Sequence, residues 1–307
     1  MTIALVCGGS RGLGRSIALE LARDGYAVAA CARSVEDVER LRFELEQNGD
    51  RVLAESCDLR DEDATRALVR NVESELGPID VLVANAATLV VGPIAARTSA
   101  DFDDALDSTF KTALHPVLAA LPAMRARGRG TIVLITSIGG KIGVPHLAPY
   151  SAAKFALVGF AEALSAEVAR DGVRVLTVIP GLMRTGSWLH ASFKGQPEKE
   201  YAWFSASAVA PLLSIDADRA ARRLLRAIDR GDRRLVYTLP ARIVARFHDL
   251  APGVFGLAMR LAGRLLPRAP ASPRVAEGET VQERSRSKVI EMLRNPSRAL
   301  GARHGQN

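Results

Sequence analysis

Tyr150 and Lys154 stand four residues apart, the spacing that sets two side chains on one face of a helix. An ammonium beside a phenol favours the phenolate and lowers a pKa that is about 10 in isolation. The pair is therefore a proton donor and acceptor suited to neutral pH. Ser137 precedes the tyrosine by thirteen positions, follows an apolar run at 131–136, and offers a hydroxyl to a substrate oxygen from the adjacent turn. A Tyr-x-x-x-Lys pair alone is common by chance, so its weight comes from its company. Cys7-Gly8-Gly9-Ser10-Arg11-Gly12-Leu13-Gly14 lies between a first apolar run and a helix-forming stretch. Glycines there permit a tight turn and let backbone N–H groups approach a pyrophosphate, which the positive end of the following helix stabilises.

These groups need a frame that brings distant segments together. Runs rich in Val, Ile, Leu and Ala at 2–7, 26–32, 51–57, 80–84, 131–136, 173–179 and 233–238 predict strands. Amphipathic stretches near 12–24, 35–48, 61–76, 100–127, 149–171 and 216–230 predict the helices between them. Most strands are apolar throughout, as expected where helices cover both faces of a sheet. The alternation predicts an α/β fold: a doubly wound parallel sheet of about seven strands, the Rossmann fold, with a C-terminal helical extension. Ligands of such sheets sit beyond the carboxyl ends of the strands, where the glycine turn and Ser137 both fall.

A chain of 307 residues holds one substantial core rather than two. With 48% hydrophobic and 24% charged residues it is neither an extended disordered chain nor a set of membrane spans. Its longest charge-free stretch, Val81 to Ala96, is interrupted by Asn85 and Gly92-Pro93 and falls short of the ~20 residues a span needs. Met1 runs straight into Thr2-Ile3-Ala4-Leu5-Val6 without the pattern of an export signal, so a cytoplasmic location is expected. Cys7, Cys31 and Cys57 are too few for a disulfide framework and read as buried thiols, and no metal is expected. Residues 1–218 carry 22 Lys+Arg against 27 Asp+Glu, whereas 219–307 carry 19 against 7. The basicity is thus C-terminal, and a solvated surface is its commoner meaning than a nucleic-acid contact.

The G-x-x-x-G-x-G spacing at Gly8, Gly12 and Gly14, joined to Ser137, Tyr150 and Lys154, resembles the single-domain branch of the short-chain dehydrogenase/reductase family over about residues 2–240. The resemblance implies hydride transfer between a nicotinamide and a carbonyl or alcohol substrate. Tyr150 would handle the proton, Lys154 would tune it and hold the nicotinamide ribose, and Ser137 would fix the substrate oxygen. It also implies cofactor contacts from Ser10, Arg11 and Leu13 in the turn, from Asp58 beside the adenine, from Asn85 in the adenosine wall, and from Pro180, Gly181 and Thr185 near the carboxamide. The second strand ends Ala30-Cys31-Ala32-Arg33 without an acid. Arg33 and Arg11 together favour a 2′-phosphate, hence NADP(H) over NAD(H). The chain departs from the family pattern at Cys7, Ala84 and Ala87, and Thr109 stands where the family often has an Asn that holds a proton-relaying water.

Between Gly186 and Phe204 lie Trp188, Phe193, Tyr201, Trp203 and Phe204, five of the 15 aromatics. This segment covers the substrate in the family, and its composition suits a bulky apolar substrate such as a lipid, steroid or aromatic ketone, with Trp188, Phe193, Trp203 and Phe204 as the candidate contacts. His146, in the loop before Tyr150, reads as a solvated histidine, with substrate contact as the less common alternative. From Ile243 to Leu266 apolar residues recur at three- and four-residue steps among arginines, which suits packing, self-association or a membrane surface at 242–266. The expected division is 1–240 as the cofactor and catalytic domain, 241–267 as an amphipathic helical extension, and 268–307 as a basic, partly flexible tail. Pro267 to Glu283 reads as a linker, followed by a short helix near 281–294 with Val281, Val289, Met292 and Leu293 as a thin apolar stripe. The expected protein is a homo-oligomeric oxidoreductase with a small-molecule substrate. Its rival is a non-catalytic NADP(H)-binding regulator or scaffold acting through the basic C-terminal region.

Overall fold

The computed structural model describes residues 1–49, 51–210, 214–285 and 288–305. In chain order its strands are β1 (Ile3–Cys7), β2 (Ala27–Ala32), β3 (Val52–Ser56), β4 (Val81–Ala84), β5 (Val90–Val91), β6 (Gly130–Ile135), β7 (Val173–Ile179), β8 (Leu182–Arg184), β9 (Ser192–Gly195), β10 (Ser214–Asp216), β11 (Arg234–Val236) and β12 (Arg274–Glu277). Seven of them form one parallel sheet in the order β3-β2-β1-β4-β6-β7-β11. The chain winds outward from β1 through β2 and β3, then returns to β4 on the other side. That reversal opens a crevice at the carboxyl ends of β1 and β4, the place where such sheets bind ligands.

The helices are α1 (Gly12–Arg23), α2 (Val35–Glu46), α3 (Glu62–Glu75), α4 (Ser99–Ala105), α5 (Thr112–Arg127), α6 (Ala148–Glu167), α7 (Pro197–Val209), α8 (Ala217–Asp229), α9 (Leu239–Leu250), α10 (Pro252–Leu265), α11 (Gly278–Arg284) and α12 (Lys288–Arg303). Successive strand residues point to opposite faces, so Leu5 joins the core under α3, α5 and α6, while Ala4 and Val6 join the core under α1, α2 and α8. Burial on both faces is why the strands read as unbroken apolar runs. The predicted helix over 100–127 is α4 and α5 joined by a π-helical turn at Leu106–Lys111.

A third core lies outside this sandwich, where β5, β9 and β12 form a small sheet under α7, α11 and α12. It corrects the predicted linker: Arg274–Glu277 pairs antiparallel with β9, and α11 buries Val281 against the lid aromatics. Ile290 of α12 is fully buried in the same core, whereas Met292 is exposed. The side chain of Val289 lies outside the described residues. Cys7, Cys31 and Cys57 are buried free thiols.

Candidate active site

Beyond the end of β6, the Ser137 Oγ accepts a hydrogen bond from the Gly139 N–H at 3.0 Å and caps the turn at Ile138–Gly140. Helix α6 starts nearby with Pro149 in its first turn, a position that needs no backbone donor. Tyr150 and Lys154 follow on successive turns, and the Ser137 hydroxyl lies near enough to the phenol to lower its pKa. Lys154 is only 2% exposed. Its Nζ donates to the Ile135 carbonyl at 2.8 Å and stands 5.8 Å from the centre of the Tyr150 ring. The fold therefore brings the three groups together from two segments.

Their electrostatics differ from the expectation. Burial raises the Tyr150 pKa above the ordinary phenol value, with the Ser137 hydroxyl pulling the other way. Burial also lowers Lys154 to about 7. Desolvation disfavours the charged form of each group, so the buried phenol rises and the buried ammonium falls. Thr109 sits in the π-helical turn, fully buried, with no hydrogen-bond partner for its hydroxyl among the described residues.

The glycine turn is shaped by contacts that exclude a side chain. Gly8 has φ 75°, and a Cβ there would lie 2.8 Å from the Ala86 backbone. At Gly14 a Cβ would lie 2.0 Å from the Gly8 carbonyl and 2.6 Å from Asn85 Nδ2. Gly8 and Gly9 N–H both donate to the Cys31 carbonyl, at 2.9 and 3.0 Å. Asn85 Nδ2 donates to the Gly8 carbonyl at 2.9 Å, so Asn85 ties β4 to the turn. Arg11 precedes the helix as its N-cap, Gly12, Leu13 and Gly14 open α1, and the first turn carries no acid to oppose the positive helix end. This narrow turn at the positive end of α1 fits a dinucleotide pyrophosphate.

Around the cradle, Arg33 is exposed just after β2, and Arg11 is held by Asp37 at 2.5 Å. Asp37, an acid the sequence reading did not weigh, is buried in the first turn of α2 and also pairs with Arg40 at 2.8 Å. Asp58 is gripped by Arg60 at 2.6 Å, and the Arg60 hydrogen bond is the main cause holding its carboxyl below the usual range. On the other side, the Pro180 carbonyl accepts from the Ile138 N–H at 2.7 Å, which joins the Pro-Gly turn to the turn after Ser137. Gly181 faces Thr238 and Ala241 at the start of α9. Thr185 is buried and accepts from the Ser187 N–H at 3.2 Å.

A family model described as short chain dehydrogenase matches residues 2–192. The chain belongs to the short-chain dehydrogenase/reductase family. Similar proteins include a 3-oxoacyl-(acyl-carrier-protein) reductase of Staphylococcus aureus, 35% identical over 181 residues that make up 59% of this chain and 74% of that protein. An NADPH-dependent pterin aldehyde reductase of Arabidopsis thaliana is 34% identical over 182 residues, with the same coverages of 59% and 74%. Among solved structures, a short-chain dehydrogenase from Streptomyces avermitilis has a TM-score of 0.72 at 29% identity and covers 86% of this chain and 99% of its own. The actinorhodin polyketide ketoreductase solved with NADPH has a TM-score of 0.68 at 31% identity, covering 77% and 95%. This dehydrogenase is thus an oxidoreductase of a nicotinamide-dinucleotide-binding family.

The lid departs most from the sequence reading. Trp188 and Phe193 are fully buried in the third core and offer no open face to a substrate. Trp188 Nε1 donates to Ser297 Oγ of α12 at 3.1 Å, so the C-terminal segment takes up the contact surface assigned to a ligand. Trp203 and Phe204 stay at the edge of this core, which also packs on Tyr150. His146 is not solvated: its Nδ1 lies 2.8 Å from Glu200 Oε2, and Glu200 is completely buried. Trp203 Nε1 donates to the same carboxylate at 2.7 Å. Lys194 of β9 donates to Asp101 of α4 at 2.8 and 3.0 Å and latches the lid strand to the catalytic side.

The C-terminal turn reaches the cofactor cradle itself. The Gly12 N–H donates to the His304 carbonyl at 2.7 Å, and Arg15 donates to the Arg303 carbonyl at 3.0 Å. Arg303 pairs with Asp218 at 2.7 Å, and the His304 ring is fully buried. No sequence signal marked this contact.

Proposed function

We propose that this short-chain dehydrogenase is an NADP(H)-dependent oxidoreductase that interconverts a carbonyl and an alcohol. The observation that carries the reading is the convergence of the Ser137 hydroxyl, the Tyr150 phenol and the buried Lys154 ammonium beside a glycine cradle. A bound nicotinamide supplies the hydride. Ser137 holds and polarises the substrate oxygen, and Tyr150 gives that oxygen its proton in reduction or removes it in oxidation. Lys154 holds the nicotinamide ribose, while Thr109 carries a water for proton relay in place of the family Asn. The proteins of similar sequence include reductases of oxoacyl and aldehyde substrates, which supports carbonyl reduction as the direction to assay first.

Preference for NADP(H) is supported by the absence of an acid at the end of β2, by exposed Arg33, and by neutralisation of Asp37 through Arg11 and Arg40. Asp58, Asn85, Pro180, Gly181 and Thr185 complete the proposed cofactor contacts. The substrate is bulky and apolar, with Trp203 and Phe204 as its lid contacts. A hollow of about 10 Å³ beside Tyr150 is bounded by Thr88, Val90, Ala105 and Pro149 together with the polar Asp101, Asp104 and Ser108. It is the size of a single water, so productive binding requires the lid to shift. Exposed Leu118 of α5 and Phe155 of α6 support self-association of the catalytic body. A panel of hydrophobic ketones with NADPH and NADH tests the whole: turnover is expected with NADPH, and Arg11→Ala with Arg33→Ala should weaken NADPH by about tenfold or more while leaving NADH nearly unchanged. Cofactor binding without turnover on any ketone would favour the scaffold reading, which the convergent catalytic trio speaks against.

A further inference from the structure

Helices α9 and α10 form a hairpin that leaves the body of the protein. Its base is fixed where Thr238 caps α9 and Ala241 packs toward Gly181, and its two arms meet through Phe255, whose ring lies 6.2 Å from Phe247 and 5.1 Å from His248. The outer face is apolar and uncovered. Ile243, Phe247 and Leu250 continue one stripe along α9, and Val254, Leu257 and Leu261 continue another along α10. Leu250 at the bend is 85% exposed and Leu265 at the far end 89%. Half of the large apolar side chains exposed among the described residues fall in this hairpin.

The charges beside the stripe are of one sign. Residues 239–268 hold five arginines and a single acid, Asp249. Arg246, Arg260 and Arg264 are exposed, and helical spacing places them along the flanks of the apolar rows. Among the described residues no helix is long and apolar enough to cross a membrane. A basic amphipathic helix pair with an open apolar face suits a position in the plane of a lipid interface, the leucines entering the acyl boundary and the guanidiniums reaching anionic headgroups. A second copy docked two-fold through this face would set arginine rows against each other.

We propose that the α9–α10 hairpin docks this protein on the surface of an anionic lipid membrane. Sedimentation of the full-length protein with vesicles of phosphatidylglycerol and phosphatidylcholine tests it. Binding is expected to anionic vesicles at low salt, to fall as salt screens the arginines, and to be weak on phosphatidylcholine alone. Leu257→Ser with Leu261→Ser, and separately Arg246→Glu with Arg260→Glu and Arg264→Glu, should each reduce binding by about tenfold or more. Because all five side chains are exposed, thermal midpoint and turnover of a water-soluble ketone should stay unchanged. Three results would overturn the proposal: no binding to any vesicle, binding that survives both sets of substitutions, or a dimer in gel filtration that the leucine substitutions dissolve.

Discussion

The glycine turn and the C-terminal region solve opposite problems. Around Gly8 and Gly14 the backbone is packed so closely that a single methyl has no room, and the close contacts come from the turn itself, from Cys31 of β2 and from the residues just after β4. After β11 the chain first leaves the body as the exposed α9–α10 hairpin, then returns as β12, α11 and α12 to cover the lid and end on the Gly12 N–H. The first region is built to receive a ligand. The second presents one apolar face outward and spends another on filling the catalytic side of its own molecule. An apolar stripe in sequence therefore does not reveal whether it faces a core, a ligand or a surface, and only its long-range partners decide.

The largest expected effect probes the rigid side. Gly14→Val should abolish NADPH binding and cost more than about 4 kcal/mol, since the clash is with backbone and not with a yielding side chain. Gly25→Ala, at φ 80° with open space around it, should cost only about 1–2 kcal/mol in a denaturant titration. Equal losses would erase the contrast between a packed turn and an ordinary one.

Buried Lys154 gives a pH test. Its folded pKa, about 7, lies below the ordinary lysine value of 10.5, so between those values the unfolded chain binds the extra proton and stability rises with pH. Below about 7 both states are protonated and the full burial penalty remains. Lys154→Met should thus be the more stable protein at pH 6. Its advantage should shrink by up to about 1.4 kcal/mol per pH unit on the way to pH 10. A constant difference across that window would contradict the burial of a titrating ammonium.

Smaller effects come from the returning segment. Ser297→Ala leaves the buried Trp188 N–H without its acceptor and should cost about 1–3 kcal/mol, with a change in tryptophan emission. Ending the chain at Arg303 removes the carbonyl that occupies the Gly12 N–H but keeps the Arg303–Asp218 pair. NADPH affinity, measured by fluorescence titration, should rise by about three- to tenfold, the value of one hydrogen bond released to the pyrophosphate. A weaker cofactor complex would show instead that the C-terminal turn completes the site.

The central sheet was legible because helices cover both its faces, which leaves long apolar runs in the sequence, and because Ser137, Tyr150 and Lys154 sit where strand ends and helix starts converge. The lid was not. Val90–Val91, Ser192–Gly195 and Arg274–Glu277 are short, and each becomes a strand only by pairing with a distant segment. Glu200 reads as one more surface acid in Glu198-Lys199-Glu200, yet it lies fully buried between His146 and Trp203. Its place three residues before Trp203, on the face that carries Tyr201 and Phe204, was the available signal. Trp188 and Phe193 carried the apolar character expected of a substrate wall, but α11 and α12 had the stronger claim on them.

Tyr150→Phe tests the account most directly. The substitution keeps the ring and removes only the hydroxyl that Ser137 meets. With a ketone that the native protein reduces, NADPH oxidation should fall by about a hundredfold or more while NADPH affinity stays within about twofold, because general acid catalysis is lost and the cradle is intact. Turnover within about tenfold of the native rate would mean that another group supplies the proton, and the proposed role of Tyr150 would not stand.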